Sequence, residues 1–132
     1  MEHIKAILAD NLIGTVATLN PDGSPWATPV HIFADDEAIY WYSQATHQHS
    51  VNAINDPRVS VALWSKSEGL KGAYIQGIAE KLDGEAAEKA FSIVRKPDGT
   101  LPPVFENTSP FRVKIGPSDT SKTSENRWYF YT

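Results

Sequence analysis

The sequence predicts a mainly β protein, an antiparallel barrel of six or seven short strands with two or three short helices. Three observations carry this expectation. Apolar residues alternate with polar or small ones at a period of two in several short runs, which is the spacing of a strand with two distinct faces. Those runs are separated by Pro, Gly, Asn and Asp, the residues that turn a chain. Helical spacing holds only over a few brief stretches, and a sheet of many short strands removes its unpaired edges by closing on itself.

Each element follows in order. Ile4, Ile7 and Leu8 share one face of a first short helix that Asp10-Asn11 closes. Leu12 to Leu19 then reads as a strand, and Asn20-Pro21-Asp22-Gly23 as a tight turn, with Pro fixing one φ and Gly taking the positive one. Pro25 to Phe33 forms the second arm of that hairpin. Pro29 cannot donate to a ladder, so one side of this arm is unpaired there. Asp35-Asp36-Glu37 turns the chain into an aromatic strand, with Ile39 and Trp41 on one face and Tyr40 and Tyr42 on the other. The three arms are expected to form a meander. Ser43 to Thr46 is a polar link, Val51 and Ile54 recur at helical spacing, and Asn55-Asp56-Pro57 ends that helix. Val59, Val61 and Leu63 give the next strand. After a polar loop over 65–72, Ala73 to Leu82 is a strand in which Gly77 marks a bulge or a close backbone approach. Asp83 is placed to cap a helix running to about Val94, whose apolar face is Ala87, Ala90, Phe91 and Val94. Lys96 to Pro110 is a long, proline-rich loop of the kind that often carries function. Phe111 to Ile115 and Arg127 to Tyr131 are the last strands, separated by a polar stretch.

Composition limits the function. With 132 residues the chain is one domain, 1–132, long enough for one core. A net charge of -4 with scattered Lys and Arg offers no basic stripe, so nucleic acid is not an expected partner. There is no Cys, which excludes disulfides and thiolate metal sites. The first ten residues are amphipathic without a long apolar run, so neither a signal peptide nor a membrane span is expected, and a cytoplasmic protein is. His31, His47 and His49 lack the i, i+4 pairing and carboxylate partners of a metal site, so no metal is expected. Trp41, Tyr42, Trp64 and Tyr74 read mainly as core.

The polar chemistry concentrates between Tyr40 and Val59. Where a short loop feeds a helix, the first-turn amides lack intrahelical partners and favour an anion such as a phosphate. Thr46, His47, His49 and Ser50 stand at that point. The same residues could instead make only local hydrogen bonds at a helix start.

The ordered set formed by the Leu12-to-Leu19 strand, the Pro-Asp-Gly turn, Pro25-x-x-Thr-Pro-Val30, Tyr40-Trp-Tyr-Ser43, His49-Ser50-x-Asn52, Asn55-Asp-Pro-Arg-Val59 and Tyr74-Ile-Gln-Gly-Ile-Ala-Glu80 resembles the pyridoxamine 5'-phosphate oxidase-like proteins. The resemblance implies an FMN-binding split barrel that forms a homodimer with two cofactor sites at the interface. It implies that Thr28, Pro29 and Val30 lie against the flavin ring, and that Tyr42, Ser43, His49 and Ser50 supply further ring and phosphate contacts. The chain also departs from the oxidases proper. They carry an Arg-Lys pair where this sequence has His49-Ser50, and an Arg where it has Thr28. Arg grips a phosphate in a bidentate way that neither His nor Ser reproduces. Some relatives without the oxidases' substrate-binding residues carry a similar His-Ser motif, so the departure argues against pyridoxamine phosphate as substrate more than against the fold.

Two functions stay open on the sequence. One is an FMN-dependent oxidoreductase acting on a small-molecule substrate or electron donor, with no catalytic acid or base identifiable. The other is a non-enzymatic dimer that holds a flavin, a deazaflavin or another ligand.

Overall fold

A computed structural model describes residues 13–65, 71–115 and 127–131. The first predicted helix and the polar stretches over 66–70 and 116–126 lie outside the described residues. The strands are β1 (Ile13–Leu19), β2 (Pro25–His31), β3 (Phe33–Ala34), β4 (Ala38–Ser43), β5 (Arg58–Ser65), β6 (Lys71–Lys81), β7 (Ser109–Lys114) and β8 (Arg127–Tyr131), with helices α1 (Gln48–Asn55) and α2 (Gly84–Ser92) and a 3-10 turn at Pro103–Phe105. All pairings are antiparallel, in the order β2-β1-β5-β6-β7-β4-β3, with β8 also on β6. The path begins and ends on one continuous stretch of chain, because β3 follows β2 after Ile32 alone. The sheet therefore curls into a half-barrel that is split where β2 leaves off and β3 begins.

This geometry revises the expected meander. The second arm pairs with β1 from Pro25 to His31, and only Phe33 and Ala34 reach β4. Ile32, 2% exposed, sits between the two ladders and packs into the core, so the arm turns a corner there and changes sheets. The main partner of β4 is β7, from Ala38 opposite Lys114 to Ser43 opposite Ser109. Pro29 faces Thr15 on β1, and β2 is the edge of the path, as a proline inside a strand requires.

Alternation sorts the side chains. Val16, Ile39, Trp41, Val61, Leu63, Ile75 and Val113 fill the interior, where Trp41 stacks on Phe111 at 5.9 Å. Gly14 belongs to this packing. A Cβ there would stand 2.5 Å from Leu63 Cδ2 and 2.9 Å from Ile32 Cγ1, so only Gly lets these two side chains close over β1. On the opposite face of β4, Tyr40 and Tyr42 are covered by Ala86, Ala87, Ala90 and Ile93 around α2. Asp83 is the α2 N-cap by position, but its carboxylate meets Lys81 Nζ at 3.4 Å instead of the helix amides. Trp64 is 43% exposed, on the outer face of β5, because it shares parity with Ser60 and Ala62 and not with the core residues between them.

Gly77 is buried opposite Val59 in an unbroken β5–β6 ladder, so no bulge interrupts that edge. It lies where the other edge of β6 passes from β8 (Gly72–Gln76) to β7 (Ala79–Lys81). The strand bends between two sheets here, which is the corner use of a strand glycine. No helix among the described residues is long and apolar enough to cross a membrane.

Candidate functional site

The short helix α1 has its faces reversed relative to ordinary amphipathic packing. Val51 and Ile54, which give it helical spacing, are 36% and 52% exposed, while His49, Ser50, Asn52 and Ala53 are buried. A buried polar face is tolerated only where partners exist. Asn52 supplies most of them: Nδ2 donates to Thr18 Oγ1 at 3.1 Å and to Asn20 Oδ1 at 2.9 Å, and Gln48 Nε2 donates to its Oδ1 at 2.7 Å. These bonds tie α1 to β1 and to the turn after it. They fix where the start of the helix lies.

At that start, His49 Nε2 lies 2.7 Å from Ser43 Oγ at the end of β4, with both side chains buried. His47 occupies the N-cap position with its ring centroid 5.8 Å from that of His49. Burial, and then the neighbouring His47, lower the His49 pKa below the ordinary imidazole value, because a buried ring resists charging. The first-turn amides carry no side-chain cap.

A cleft of about 270 Å³ opens over this pair. It is lined by Pro29, Val30 and His31 from β2, by Tyr42 and Ser43 from the end of β4 with Gln44 after it, and by His47 and His49. Val104, Phe105 and Thr108 from the long loop form the remaining wall. That wall is held by rings. Phe105 stands edge-on to Tyr42 at 5.1 Å and to Phe33 at 5.7 Å, and the Tyr42 hydroxyl donates to the Ala90 carbonyl of α2. Desolvation in this setting pushes the Tyr42 phenol well above the ordinary tyrosine value.

The cleft brings together Pro29, Val30, Tyr42, Ser43 and His49 from the sequence-derived set. Thr28, Thr46 and Ser50 do not line it. Thr46 is exposed on the turn before α1, while Thr28 Oγ1 and Ser50 Oγ are buried without a hydrogen-bond partner. Sequence reasoning did not single out His31, Gln44, Val104, Phe105 or Thr108 for the site. The last three come from the long proline-rich loop over 96–110. Among the described residues no group of three or more His, Cys, Asp or Glu is arranged to hold a metal ion.

Residues 1–113 match the family described as pyridoxamine 5'-phosphate oxidase. This chain belongs to that family. No curated protein matches the sequence. Solved structures share the fold of this family member at low identity. A putative pyridoxamine 5'-phosphate oxidase from Listeria innocua superposes with a TM-score of 0.68 at 19% identity, over 85% of this chain and 90% of that one. An FAD-binding protein from Mesorhizobium loti gives 0.65 at 22% identity, over 86% and 87%. A heme binding protein from Mycobacterium smegmatis gives 0.69 at 24% identity, over 85% of this chain and 49% of that one. The chain spans about half the length of two of the solved structures it resembles, 53% and 49% of them.

Proposed function

We propose that this family member binds FMN in the cleft between β2, β4 and the start of α1, and works as a flavin-dependent oxidoreductase. The observation that carries the reading is the two-part lining of that cleft. Pro29, Val30, Tyr42, Val104 and Phe105 offer apolar surface for a planar ring, and Ser43, Gln44, His47 and His49 offer hydrogen-bonding groups for a phosphate. Bound there, a flavin supplies the redox chemistry, and the chain binds it, orients it and keeps water from it. Membership of the family and the FAD-binding relative support the choice of a flavin.

The active form in this reading is a homodimer. A cleft of about 270 Å³ is small beside the roughly 300–1,000 Å³ of sites that enclose a ligand of this size, so a second protomer would complete the wall. The outer face of β1, β2, β5 and β6 suits such a contact. It carries Ile13, Ala17, Leu19, Ala27 and Ala62, and holds an open groove of about 500 Å³ lined by Leu19, Pro25 and Ile78 among others.

The test is spectroscopic. Purified protein mixed with FMN and desalted should stay yellow at about one flavin per chain, and the bound flavin should bleach anaerobically with a nicotinamide donor. A colourless protein sinks the cofactor reading, and a yellow one that no donor reduces leaves a flavin carrier. The three imidazoles lining the cleft favour heme as the second ligand to try. Its absorption spectrum separates the two outcomes.

A further inference from the structure

The geometry points to a second chemistry in the same cleft: Ser43 and His49 form a nucleophile–base pair that transfers the acyl group of a small apolar ester, first to the serine and then to water. The inference goes beyond the flavin reading and does not depend on it.

The pair satisfies the geometric requirements in turn. Ser43 ends β4, His49 stands in the first turn of α1, and Oγ and Nε2 are 2.7 Å apart, inside the roughly 2.6–3.2 Å reach of a general base. Pairing of Ser43 with Ser109 on β7 fixes one partner, and the Asn52 hydrogen bonds anchor the helix that carries the other. Neither side chain is sealed in the core. They are 6% and 7% exposed and both line the cleft, so a ligand in it meets them while most water is kept away. In the neutral ring protonated on Nδ1, Nε2 accepts from the Ser43 hydroxyl, which is the arrangement that draws the proton off Oγ. Burial favours that neutral ring. The first turn of α1 carries no side-chain cap, which leaves its N–H groups for a developing oxyanion.

The reaction follows from these groups. Ser43 Oγ attacks the ester carbonyl carbon as its proton passes to His49 Nε2. The tetrahedral intermediate then expels the alcohol, which takes that proton and leaves the acyl group on Oγ. Water attacks the acyl-serine, gives a proton to Nε2, and releases the carboxylic acid while Oγ regains its proton from the ring. The net change is ester plus water to acid plus alcohol. Pro29, Val30, Val104 and Phe105 give the substrate's hydrocarbon part an apolar lining, and about 270 Å³ admits only a small ester.

The test is covalent labelling of the full chain with a fluorophosphonate, which phosphonylates a hydroxyl that a base has activated, beside hydrolysis of p-nitrophenyl butyrate. The expected result is one adduct per chain, mapped to Ser43 by peptide mass spectrometry. His49→Gln should slow labelling about a hundredfold or more, and Ser43→Ala should abolish both labelling and the hydrolysis above that of unfolded protein. The titratable groups around His49 are His47 before it, Tyr42 on β4 and His31 on β2. With the His49 pKa lowered, the labelling rate should be level above about pH 6.5 and fall only below it. An unlabelled Ser43 overturns the proposal, as does an adduct elsewhere or hydrolysis that Ser43→Ala leaves unchanged. The adduct is mapped on the native chain, so the result stands even if Ser43→Ala fails to fold. FMN should slow labelling by covering the pair. A protein that stays colourless with FMN yet labels at Ser43 fails the flavin reading alone and upholds the pair.

Discussion

His49 shows how one side chain links the fold to pH. Its folded-state pKa is depressed by burial first and by His47 second, so the folded chain binds fewer protons at this ring than the unfolded chain. The stability it contributes is then fully present above its unfolded pKa, about 6.5, and is lost as pH falls through the lower folded value. The melting temperature should drop as pH falls below about 6.5, while the carboxylates with lowered pKa values, Asp22, Asp35, Asp56 and Asp98, are still ionised in the folded chain. In His49→Gln, which cannot charge, that slope should shrink, and a pH scan of thermal unfolding in both proteins decides it. An unchanged slope would mean that other groups set the acid limit.

At the scale of the element, α1 is held by an amide and not by its apolar residues. Asn52, fully buried, bridges Thr18 and Asn20 and takes a bond from Gln48. Asn52→Ala removes three bonds and leaves a small cavity, and should destabilise by about 2–4 kcal/mol. Ile54→Ala, at an exposed position, should cost well under about 1 kcal/mol. Urea unfolding of the two variants checks the ranking, and the opposite order would show that α1 docks through its apolar side. This element also marks the limit of what can be read in the sequence. The faces of β4 were legible because Ile39, Trp41, Tyr40 and Tyr42 obey a period of two with both faces covered. The faces of α1 were not, since hydropathy cannot register a buried polar side whose partners lie more than thirty residues away in the chain. The wall of Val104 and Phe105 was hidden for the same reason: only the ring contacts with Phe33 and Tyr42 bring it to the cleft. The end of β4 and the start of α1, by contrast, stand next to each other in the sequence, and their meeting could be read from strand, link and helix alone.

For the whole molecule the outer face of β1, β2, β5 and β6 is the feature with most consequence. Ala62 lies at its centre, between Thr15 on β1 and Tyr74 on β6. If two protomers meet there, Ala62→Arg places a charge in the contact. The native chain should then sediment as a dimer at micromolar concentration and the variant as a monomer of unchanged secondary structure. A native monomer would remove the homodimer, and a dimeric variant would move the contact elsewhere on the surface.

The pairing of β4 with β7 also constrains how the chain comes to be folded. Ala38 must find Lys114, and Ser43 must find Ser109, so the ring of strands cannot be completed while the ribosome has yet to deliver β7. Pairings so distant in sequence are slow to form, since the intervening loop must be closed before any contact rewards it. Until then β4 displays Ile39 and Trp41 without Phe111 and Val113 to cover them, a sticky aromatic strand on a nascent chain. Synthesis thus imposes a waiting period in which the future core is a target for chaperones and for self-association.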